Sequence, residues 1–268
     1  MDAGAPLLVF DSGMGGLSVL ANIRDAVPSA PIIYCADTAG YPYGTKTEAE
    51  IAARVPGLLA ELALRYSPRL IVIACNTAST IALNEARTTL DVTIIGTVPA
   101  IKPAALASIS RVIGVLGTVA TVRQRYVDQL SAKFAPDCVV LRYGSARLVA
   151  LAEAKLRGDP VALDDVRHEL DGLLDQTDGA RMDRCVLACT HFPLLIEELR
   201  AVAPAGLEFV ESGESIARRV VDLTAGQEWP AASVAGRAVF TSADTDHQRL
   251  APALARYGLT EIDPPIIW

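Results

Sequence analysis

Two cysteines in this sequence, Cys75 and Cys189, each end an apolar run and are followed by polar residues. The polar residues are Asn76 and Thr77 after the first cysteine and Thr190 and His191 after the second. Residues that can cap a helix in these positions predict that each thiol lies near a helix N-terminus, an environment that favours the thiolate. A thiolate can remove a proton from a substrate, and a neutral thiol can deliver one. We therefore interpret the two cysteines as candidate acid and base groups.

Other interpretations of the cysteines are open at this point. A redox pair usually has Cys-x-x-Cys spacing, whereas three residues separate Cys185 from Cys189. A zinc site needs three or four ligands; Cys185, Cys189 and His191 could supply three, although Cys185 lies deep in an apolar run. A cysteine at a strand end can also be a small buried hydrophobe. We favour that last interpretation for Cys35, Cys138 and Cys185, which lie within apolar runs.

A glycine-rich turn at residues 13–16 follows the first apolar run and resembles a dinucleotide-binding turn. Ser18 stands where the third glycine of that fingerprint would be, and Asp11 with Ser12 occupies the strand end that a pyrophosphate would approach. The alternative is a tight turn whose amides open a helix N-terminus, which suits a carboxylate ligand.

Short apolar runs alternate with longer amphipathic segments, which predicts an α/β fold with mostly parallel sheets. The predicted strands are Leu7–Phe10, Ile32–Ala36, Leu70–Ala74, Val92–Gly96, Val112–Leu116, Cys138–Leu141, Val186–Ala188, Leu207–Val210 and Ala238–Thr241. The clearest predicted helix is Thr47–Tyr66, in which Pro56 predicts a kink or a break. Because ligands bind at the carboxyl ends of parallel strands, residues at those ends are the functional candidates.

Two junctions rich in proline or glycine, residues 98–103 and 203–206, divide the predicted elements. They predict one lobe formed by residues 1–98 and 207–268 and a second lobe formed by residues 99–206. The two Ala-Cys strand ends, one in each half of the chain, predict that the lobes are related by pseudo-symmetry. We expect the active site in the cleft between the lobes.

Composition narrows the classes of protein. The chain has 268 residues, of which 51% are hydrophobic and 21% are charged, as in ordinary globular proteins. A net charge of −7 without basic runs argues against nucleic-acid binding. The N-terminal segment resembles neither a signal peptide nor a membrane anchor, so we expect a cytoplasmic protein without membrane association. The five cysteines are then free thiols.

Seven segments carry a family resemblance. They are VFDSGMGGLSV (9–19), DTA (37–39) with PYG (42–44), ACNTAS (74–79), GTVPAIKP (96–103), LAEAKL (151–156), ACTHFPLL (188–195) and ESG (211–213). In this order they closely resemble the aspartate/glutamate racemase family, in particular the glutamate racemases of bacterial cell-wall synthesis. The resemblance implies two α/β lobes with the site between them.

The resemblance also implies roles for individual residues. Cys75 is expected to deprotonate D-glutamate with help from Asp11, and Cys189 to deprotonate L-glutamate with help from Glu153 and His191. The expected substrate-binding residues are Asp11, Ser12, Tyr43, Gly44, Asn76, Thr77, Thr118, Thr121, Thr190 and His191. Purely structural roles for the helpers are the alternatives: Asp11 as a helix cap, Glu153 as a solvated helix residue and His191 as a turn residue.

The function implied is the interconversion of L- and D-glutamate without metal, pyridoxal phosphate or nucleotide cofactor, supplying D-glutamate for peptidoglycan. A cell-wall precursor is a possible effector, and the chain is expected to be a monomer or a homodimer. Two other functions fit the same residues. One is racemisation of aspartate or another small acid, and the other is amino-acid binding without catalysis.

Overall fold

The computed structural model describes residues 2–244 and 246–268 and divides into two compact α/β units. The first unit comprises the described residues up to Thr97 together with Gly213–Trp268, and the second comprises Val98–Ser212. Every strand pair among the described residues is parallel, as the alternation of apolar runs and amphipathic segments predicts. The prediction of an α/β fold is confirmed.

The first unit has one sheet with the strand order β10-β9-β2-β1-β3-β4. Its strands are β1 (Leu7–Asp11), β2 (Ile32–Ala36), β3 (Leu70–Ile73), β4 (Ile94–Gly96), β9 (Gly236–Phe240) and β10 (Leu259–Ile262). The central strands β1, β2 and β3 are buried along their whole length. Strands covered on both faces are continuous apolar runs rather than alternating ones, which is why they are evident in the sequence.

Helices cover this sheet. They are α1 (Leu17–Ala26), α2 (Glu48–Tyr66), α3 (Asn76–Thr89), α10 (Gly213–Leu223) and α11 (His247–Arg256), with a 3₁₀ turn at Tyr43–Thr45. A capping box starts α2: the Thr47 hydroxyl accepts the amide of Glu50, and the Glu50 carboxylate accepts the amide of Thr47. The helix then continues through Pro56, so the predicted break is wrong. Burial of the apolar face of α2 offsets the hydrogen bond that proline cannot make.

The second unit has a sheet with the strand order β6-β5-β7-β8. Its strands are β5 (Val112–Gly117), β6 (Val139–Gly144), β7 (Arg184–Ala188) and β8 (Glu208–Val210). Its helices are α4 (Ile101–Ala107), α5 (Val119–Val122), α6 (Arg125–Phe134), α7 (Arg147–Leu156), α8 (Leu163–Leu174) and α9 (Ile196–Val202), with 3₁₀ turns at Gly179–Arg181 and Phe192–Leu195. One core cluster of this unit packs α4 against β5 and β7.

The two sheets share a pattern of strand order. The segment β2-β1-β3-β4 of the first sheet corresponds to β6-β5-β7-β8 of the second, so β1 matches β5 and β3 matches β7. Cys75 follows β3 and Cys189 follows β7. The similarity of the two Ala-Cys motifs in the sequence therefore reflects equivalent positions in two related sheets.

Some predicted bounds differ from the structure. The predicted boundary between residues 206 and 207 precedes β8, which hydrogen-bonds β7 within the second sheet, and the second unit extends to Ser212. Strand β10 was not predicted, because only Leu259 of its four residues is buried and its sequence contains no apolar run. The predicted strand Ile32–Ala36 matches β2 at both ends, and each of the other predicted strands differs by one to three residues at one or both ends. Apolar patterning defines the ends of the hydrogen-bonded segment less well than its middle.

Candidate active site

The first thiol site, formed by Asp11, Ser12 and Cys75, lies at the carboxyl edge of the first sheet. Adjacent strands β1 and β3 pair in register up to Phe10 and Ile73. Two residues beyond this last pair, past the ends of both strands, the Cys75 thiol donates to the Ser12 hydroxyl at a distance of 3.6 Å. The parallel register therefore brings together residues that lie 63 positions apart in the sequence.

Cys75 is the N-cap residue of α3. Its sulfur accepts the backbone N–H of Ala78 at 3.5 Å, the contact that a serine or aspartate oxygen makes in an ordinary N-cap. The side chain is 5% exposed, so it is shielded but reachable. A backbone donor and the positive end of a helix dipole both stabilise negative charge on sulfur. This observation confirms the expectation of a helix N-terminus beside the first thiol.

Asp11 is the fully buried member of the first thiol site. Its Oδ1 accepts the backbone N–H of Gly13 at 2.8 Å and the hydroxyl of Ser12 at 3.4 Å. Helix α1 has Gly16 as its N-cap, so Asp11 does not cap that helix. The hydroxyl of Ser12 thus connects the Cys75 thiol to a buried carboxylate, and the Asp11 carboxylate is available to orient it.

The second thiol site, formed by Glu153, Cys189 and His191, lies at the carboxyl edge of the second sheet. Strands β5 and β7 pair in register up to Gly117 and Ala188, and Cys189 is the next residue along β7. The sulfur of Cys189 lies 3.8 Å from Nδ1 of His191. On the other side of the ring, Nε2 lies 2.9 Å from Oε1 of Glu153 on α7. The result is a buried thiol–imidazole–carboxylate chain.

The surroundings favour a charged imidazole in this chain. Burial alone would lower the pKa of His191, but its contacts with Cys189 and Glu153 outweigh burial and raise the pKa well above its usual value. Glu153 is 7% exposed, and its second carboxylate oxygen lies 3.6 Å from Nη1 of Arg157, one turn further along α7. Neither Glu153 nor His191 is therefore a solvated surface residue.

The two thiols have different helix environments. The expected helix N-terminus beside Cys189 is wrong: the residues after it form the 3₁₀ turn Phe192–Leu195, and α9 begins only at Ile196. Pro193 fits within that tight turn, and His191 precedes it. Cys189 therefore has an imidazole partner where Cys75 has a helix amide.

The remaining polar candidates lie at the same strand ends. Asn76, Thr77, Thr118, Thr121 and Thr190 are all buried. Thr118 caps α5, accepting the amide of Thr121 at 3.1 Å, and the two hydroxyls lie 3.0 Å apart. The buried Oδ1 atom of Asn76 has no hydrogen-bond partner among the described residues. A buried acceptor left unpaired costs about 1–3 kcal/mol, which a ligand N–H would recover.

Tyr43 and Gly44 lie in the 3₁₀ turn that follows β2. The phenol of Tyr43 is buried and donates to the carboxylate of Asp37, which also accepts from Arg54 and Thr241. Burial alone would raise the pKa of Asp37, but these donors outweigh burial and hold it below its usual value. Burial and the adjacent carboxylate in turn raise the pKa of the Tyr43 phenol. The Tyr43 side chain is therefore an anchor for the turn.

Sequence reasoning missed Arg54 and Arg157 as part of these sites. Arg54 lies in the middle of α2, and only the buried carboxylate of Asp37 gives it a role. Arg157 lies four residues after Glu153, a spacing that predicts an ion pair on a helix once Glu153 is singled out. The i, i+4 spacing was therefore available in the sequence, whereas the pairing of Arg54 was not.

The other cysteines differ from the two candidates. Burial raises the pKa of Cys35 well above its usual value and that of Cys185 to about 12. Both lie within strands, as expected of core residues. Cys138 is only partly buried and precedes β6, so its placement within a strand is wrong. It nevertheless packs against the core of the second unit.

The described residues contain neither a metal-binding cluster nor a membrane-spanning helix. No group of three or more His, Cys, Asp or Glu side chains with the geometry of a metal site occurs in residues 2–244 and 246–268. Over the same residues, no helix combines the length and the apolar character needed to cross a bilayer.

Comparisons with known proteins identify relatives along nearly the whole chain. A family model described as Asp/Glu/Hydantoin racemase matches residues 14–220. A curated relative, the glutamate racemase of Sphingopyxis alaskensis, is 56% identical over 259 residues, which cover 97% of this chain and 97% of that protein.

Solved structures agree with the sequence comparison. The crystal structure of Escherichia coli glutamate racemase in complex with L-glutamate and the activator UDP-MurNAc-Ala matches with a TM-score of 0.89 and 42% identity, covering 96% of this chain and 97% of that one. The crystal structure of the glutamate racemase from Thermus thermophilus in complex with beta-chloro-D-alanine matches with a TM-score of 0.74 and 32% identity, covering 98% of this chain and 97% of that one.

Proposed function

The chain belongs to the Asp/Glu/hydantoin racemase family, and from this premise we propose that it interconverts L- and D-glutamate with Cys75 and Cys189 as the two bases. The observation that carries the proposal is the equivalent placement of the two thiols, one after β3 and one after β7, in sheets of corresponding strand order. Each thiol has its own set of polar partners: Ser12 and the Ala78 amide for Cys75, and His191 for Cys189. Racemisation needs two such groups, because inversion requires proton removal from one face of a carbon and delivery to the other.

In the proposed reaction, one cysteine removes the proton from the α-carbon of glutamate and the other cysteine donates a proton to the opposite face. In the direction from L- to D-glutamate, the Cys189 thiolate takes the α-proton and becomes a thiol, leaving the electron pair on the α-carbon. The Cys75 thiol then gives its proton to the opposite face and becomes a thiolate. The reverse direction exchanges the two roles, and proton exchange with solvent resets the pair. The chemistry requires that both thiols reach one α-carbon, and the site between the lobes stays a prediction.

The partners of each thiol fit these roles. At the first thiol site, Ser12 accepts from the thiol and the amide of Ala78 donates to the sulfur, so both ionisation states of Cys75 have a partner. At the second thiol site, a protonated His191 beside Cys189 would stabilise the thiolate as an ion pair, and Glu153 holds the ring in place. These helpers are positioning groups for the bases.

Substrate binding in an acidic protein must rely on local donors. With a net charge of −7, the overall field repels a dicarboxylate, so hydroxyls and backbone amides at the strand ends have to bind it. Thr77, Thr118 and Thr190 supply hydroxyls there, in line with the family resemblance. The unpaired Oδ1 of Asn76 is suited to accept from the ammonium group of an amino acid.

Incubation of the pure protein with L-glutamate in deuterated water tests the proposal. We expect the circular dichroism signal to decay to zero and the α-proton to exchange for deuterium, without added metal or cofactor and in the presence of a chelator. Retention of rotation without exchange would rule out racemisation. Glutamate binding by calorimetry without isotope exchange would instead indicate an amino-acid binding protein. Faster racemisation of aspartate than of glutamate in the same assay would identify another small acid as the preferred substrate.

The cellular role is also proposed. We propose that the reaction supplies D-glutamate for peptidoglycan in the cytoplasm, as the resemblance to glutamate racemases implies. The relative from Escherichia coli was crystallised with a nucleotide-linked cell-wall precursor as activator, which supports such a precursor as an effector of this chain. Titration of UDP-MurNAc-Ala into the racemisation assay checks this point. Sedimentation velocity of the same sample distinguishes a monomer from a homodimer.

A further inference from the structure

Arg54 makes a two-pronged contact with the buried carboxylate of Asp37. Its Nε lies 2.6 Å from Oδ2, and its Nη2 lies 2.6 Å from Oδ1. The same carboxylate accepts the phenol of Tyr43 and, at 2.6 Å, the hydroxyl of Thr241. Four segments of the first unit therefore meet at Asp37: the end of β2, the turn at Tyr43, helix α2 and the end of β9.

We propose that Arg54 is a positioning residue for the substrate-binding turn at Tyr43 and Gly44. This inference rests on the proposed function and on the family resemblance, which implies that the turn contacts glutamate. The phenol of Tyr43 donates to Asp37. The groups of the turn that remain for contact with a ligand are therefore its backbone and the ring edge of Tyr43. The placement of that backbone depends on Asp37, and the orientation of Asp37 depends on Arg54.

The geometry requires an arginine at this position. A guanidinium presents two parallel N–H donors that match a carboxylate, whereas a lysine ammonium binds as a point charge. Both oxygens of Asp37 are bound by Arg54, so the carboxylate has a single allowed orientation, in which Oδ2 faces Tyr43. A lysine at position 54 would preserve the charge but not the two-pronged contact, so the orientation of the carboxylate would depend on Tyr43, Thr241 and the Gly40 backbone alone.

Gly40 supports the same interpretation from the opposite side of the cluster. A Cβ atom at this position would overlap with the carboxylate of Asp37 and would lie 2.8 Å from both Nε of Arg54 and the ring of Tyr43. The backbone of Gly40 also donates to Asp37 at 3.3 Å. The loop between β2 and the Tyr43 turn therefore closes directly on the ion pair, with no space for a side chain.

Arg54 is itself held by a distant part of the chain. Its Nη1 donates to the backbone carbonyl of Trp268 at 3.2 Å. The indole ring of Trp268 in turn packs over Gly57 of α2, where a Cβ would lie 2.8 Å from the ring. All three nitrogens of the guanidinium are thus engaged, two on Asp37 and one on Trp268, which fixes the side chain in one rotamer.

The first unit contains a matched control. Arg237 binds Asp263 through Nε at 3.0 Å and Nη2 at 2.7 Å, and Asp263 also accepts the phenol of Tyr66 at 2.6 Å. This second arginine–aspartate–tyrosine cluster belongs to the same sheet, and its arginine binds a single oxygen of Asp263. None of its members is among the candidate site residues. Loss of an arginine there should affect stability without affecting substrate binding.

The experiment compares the variants Arg54→Ala, Arg54→Lys and Arg237→Ala in racemisation kinetics in both directions and in thermal unfolding. For Arg54→Ala we expect KM for both enantiomers to rise about tenfold with kcat changed by less than about threefold, since the turn contributes to binding in the ground state and the transition state alike. Arg54→Lys should have an intermediate KM. Arg237→Ala should lower the melting temperature and leave KM at the wild-type value.

The outcomes separate the inference from the proposed function. An equal KM in Arg54→Ala and Arg237→Ala, or a loss in kcat with KM unchanged, would overturn the positioning role of Arg54. If Arg54→Ala does not fold, Arg54→Lys decides, and a wild-type KM in that variant would overturn the role as well. Absence of glutamate racemisation in the wild-type protein would instead remove the proposed function on which the inference rests.

Discussion

Nε2 of His191 lies 2.9 Å from Oε1 of Glu153, and both side chains are buried at the second thiol site. At the first thiol site the corresponding partner is the hydroxyl of Ser12, which connects Cys75 to Asp11. The two candidate bases are therefore equivalent in the sheet but differ in the groups that support them. That asymmetry makes the contribution of each site measurable by itself.

Replacement of either candidate base should stop racemisation in both directions. In Cys75→Ser or Cys189→Ser, a hydroxyl of much higher pKa replaces the thiol, and each direction of the reaction needs one group as base and the other as acid. We expect kcat to fall by at least about 10³-fold for both enantiomers, measured by circular dichroism, with an unchanged melting temperature.

Cys138→Ser is the control for this pair, since Cys138 is a partly buried thiol outside both sites. Its activity should equal that of the wild type. Full activity in either Cys75→Ser or Cys189→Ser would exclude that residue from the mechanism.

Loss of His191 should change which proton transfer limits the rate. Because the equilibrium constant of a racemisation is one, kcat/KM in His191→Asn must fall equally in both directions, by about 10²-fold for a lost acid–base helper. Only the transition state that involves Cys189 is raised. With substrate deuterated at the α-carbon, the isotope effect on kcat/KM should therefore increase for L-glutamate and decrease for D-glutamate. Isotope effects that change alike in both directions would argue against a specific link between His191 and Cys189.

Neutralisation of Glu153 should shift the pH dependence of the reaction. Contact with Cys189 and with the Glu153 carboxylate raises the pKa of His191 against the effect of burial. In Glu153→Gln one of these contributions is lost, so the pKa of His191 falls and the charged imidazole persists over a narrower range. We expect the alkaline limb of the kcat/KM profile to move to lower pH, while Glu169→Gln, a change at another buried glutamate of the second unit, leaves the limb in place. An unmoved limb in Glu153→Gln would contradict the role of a charged His191 beside Cys189.

Alkylation should leave the two core cysteines, Cys35 and Cys185, unmodified in the native protein. With its pKa raised to about 12, Cys185 has only about one thiolate in 10⁴ molecules at pH 8, and it is fully enclosed in β7. Cys35 is equally enclosed. Iodoacetamide treatment of the native protein followed by peptide mass spectrometry should therefore leave both unmodified while they react after denaturation. Modification of Cys185 in the native state at a rate like that of Cys138 would show that β7 opens far more readily than its burial indicates.

The sequence was sufficient to predict the architecture and the identity of both candidate bases. Strands covered on both faces are continuous apolar runs, and their carboxyl ends are marked by the polar residues that follow. The repeat of Ala-Cys at two such ends predicts equivalent positions for Cys75 and Cys189. The resemblance of seven segments to one family then indicated the chemistry.

Other features depended on contacts that no sequence pattern expresses. Pro56 lies inside a continuous helix because burial of an apolar face offsets a missing hydrogen bond. The helix N-terminus predicted beside Cys189 is a 3₁₀ turn, so an imidazole takes its place.

The meeting of Arg54 with Asp37 illustrates the same limit most clearly. A local pattern fixes which residues follow a strand, since backbone hydrogen bonding and side-chain periodicity act over a few residues. The pairing of a helix residue with a carboxylate beyond β2, and with a carbonyl 214 positions further along the chain, is decided only when the elements pack. The sequence therefore predicts which groups are candidate bases, whereas the packing of the chain selects the groups that hold them in place, because desolvation and hydrogen-bond geometry are properties of the packed chain.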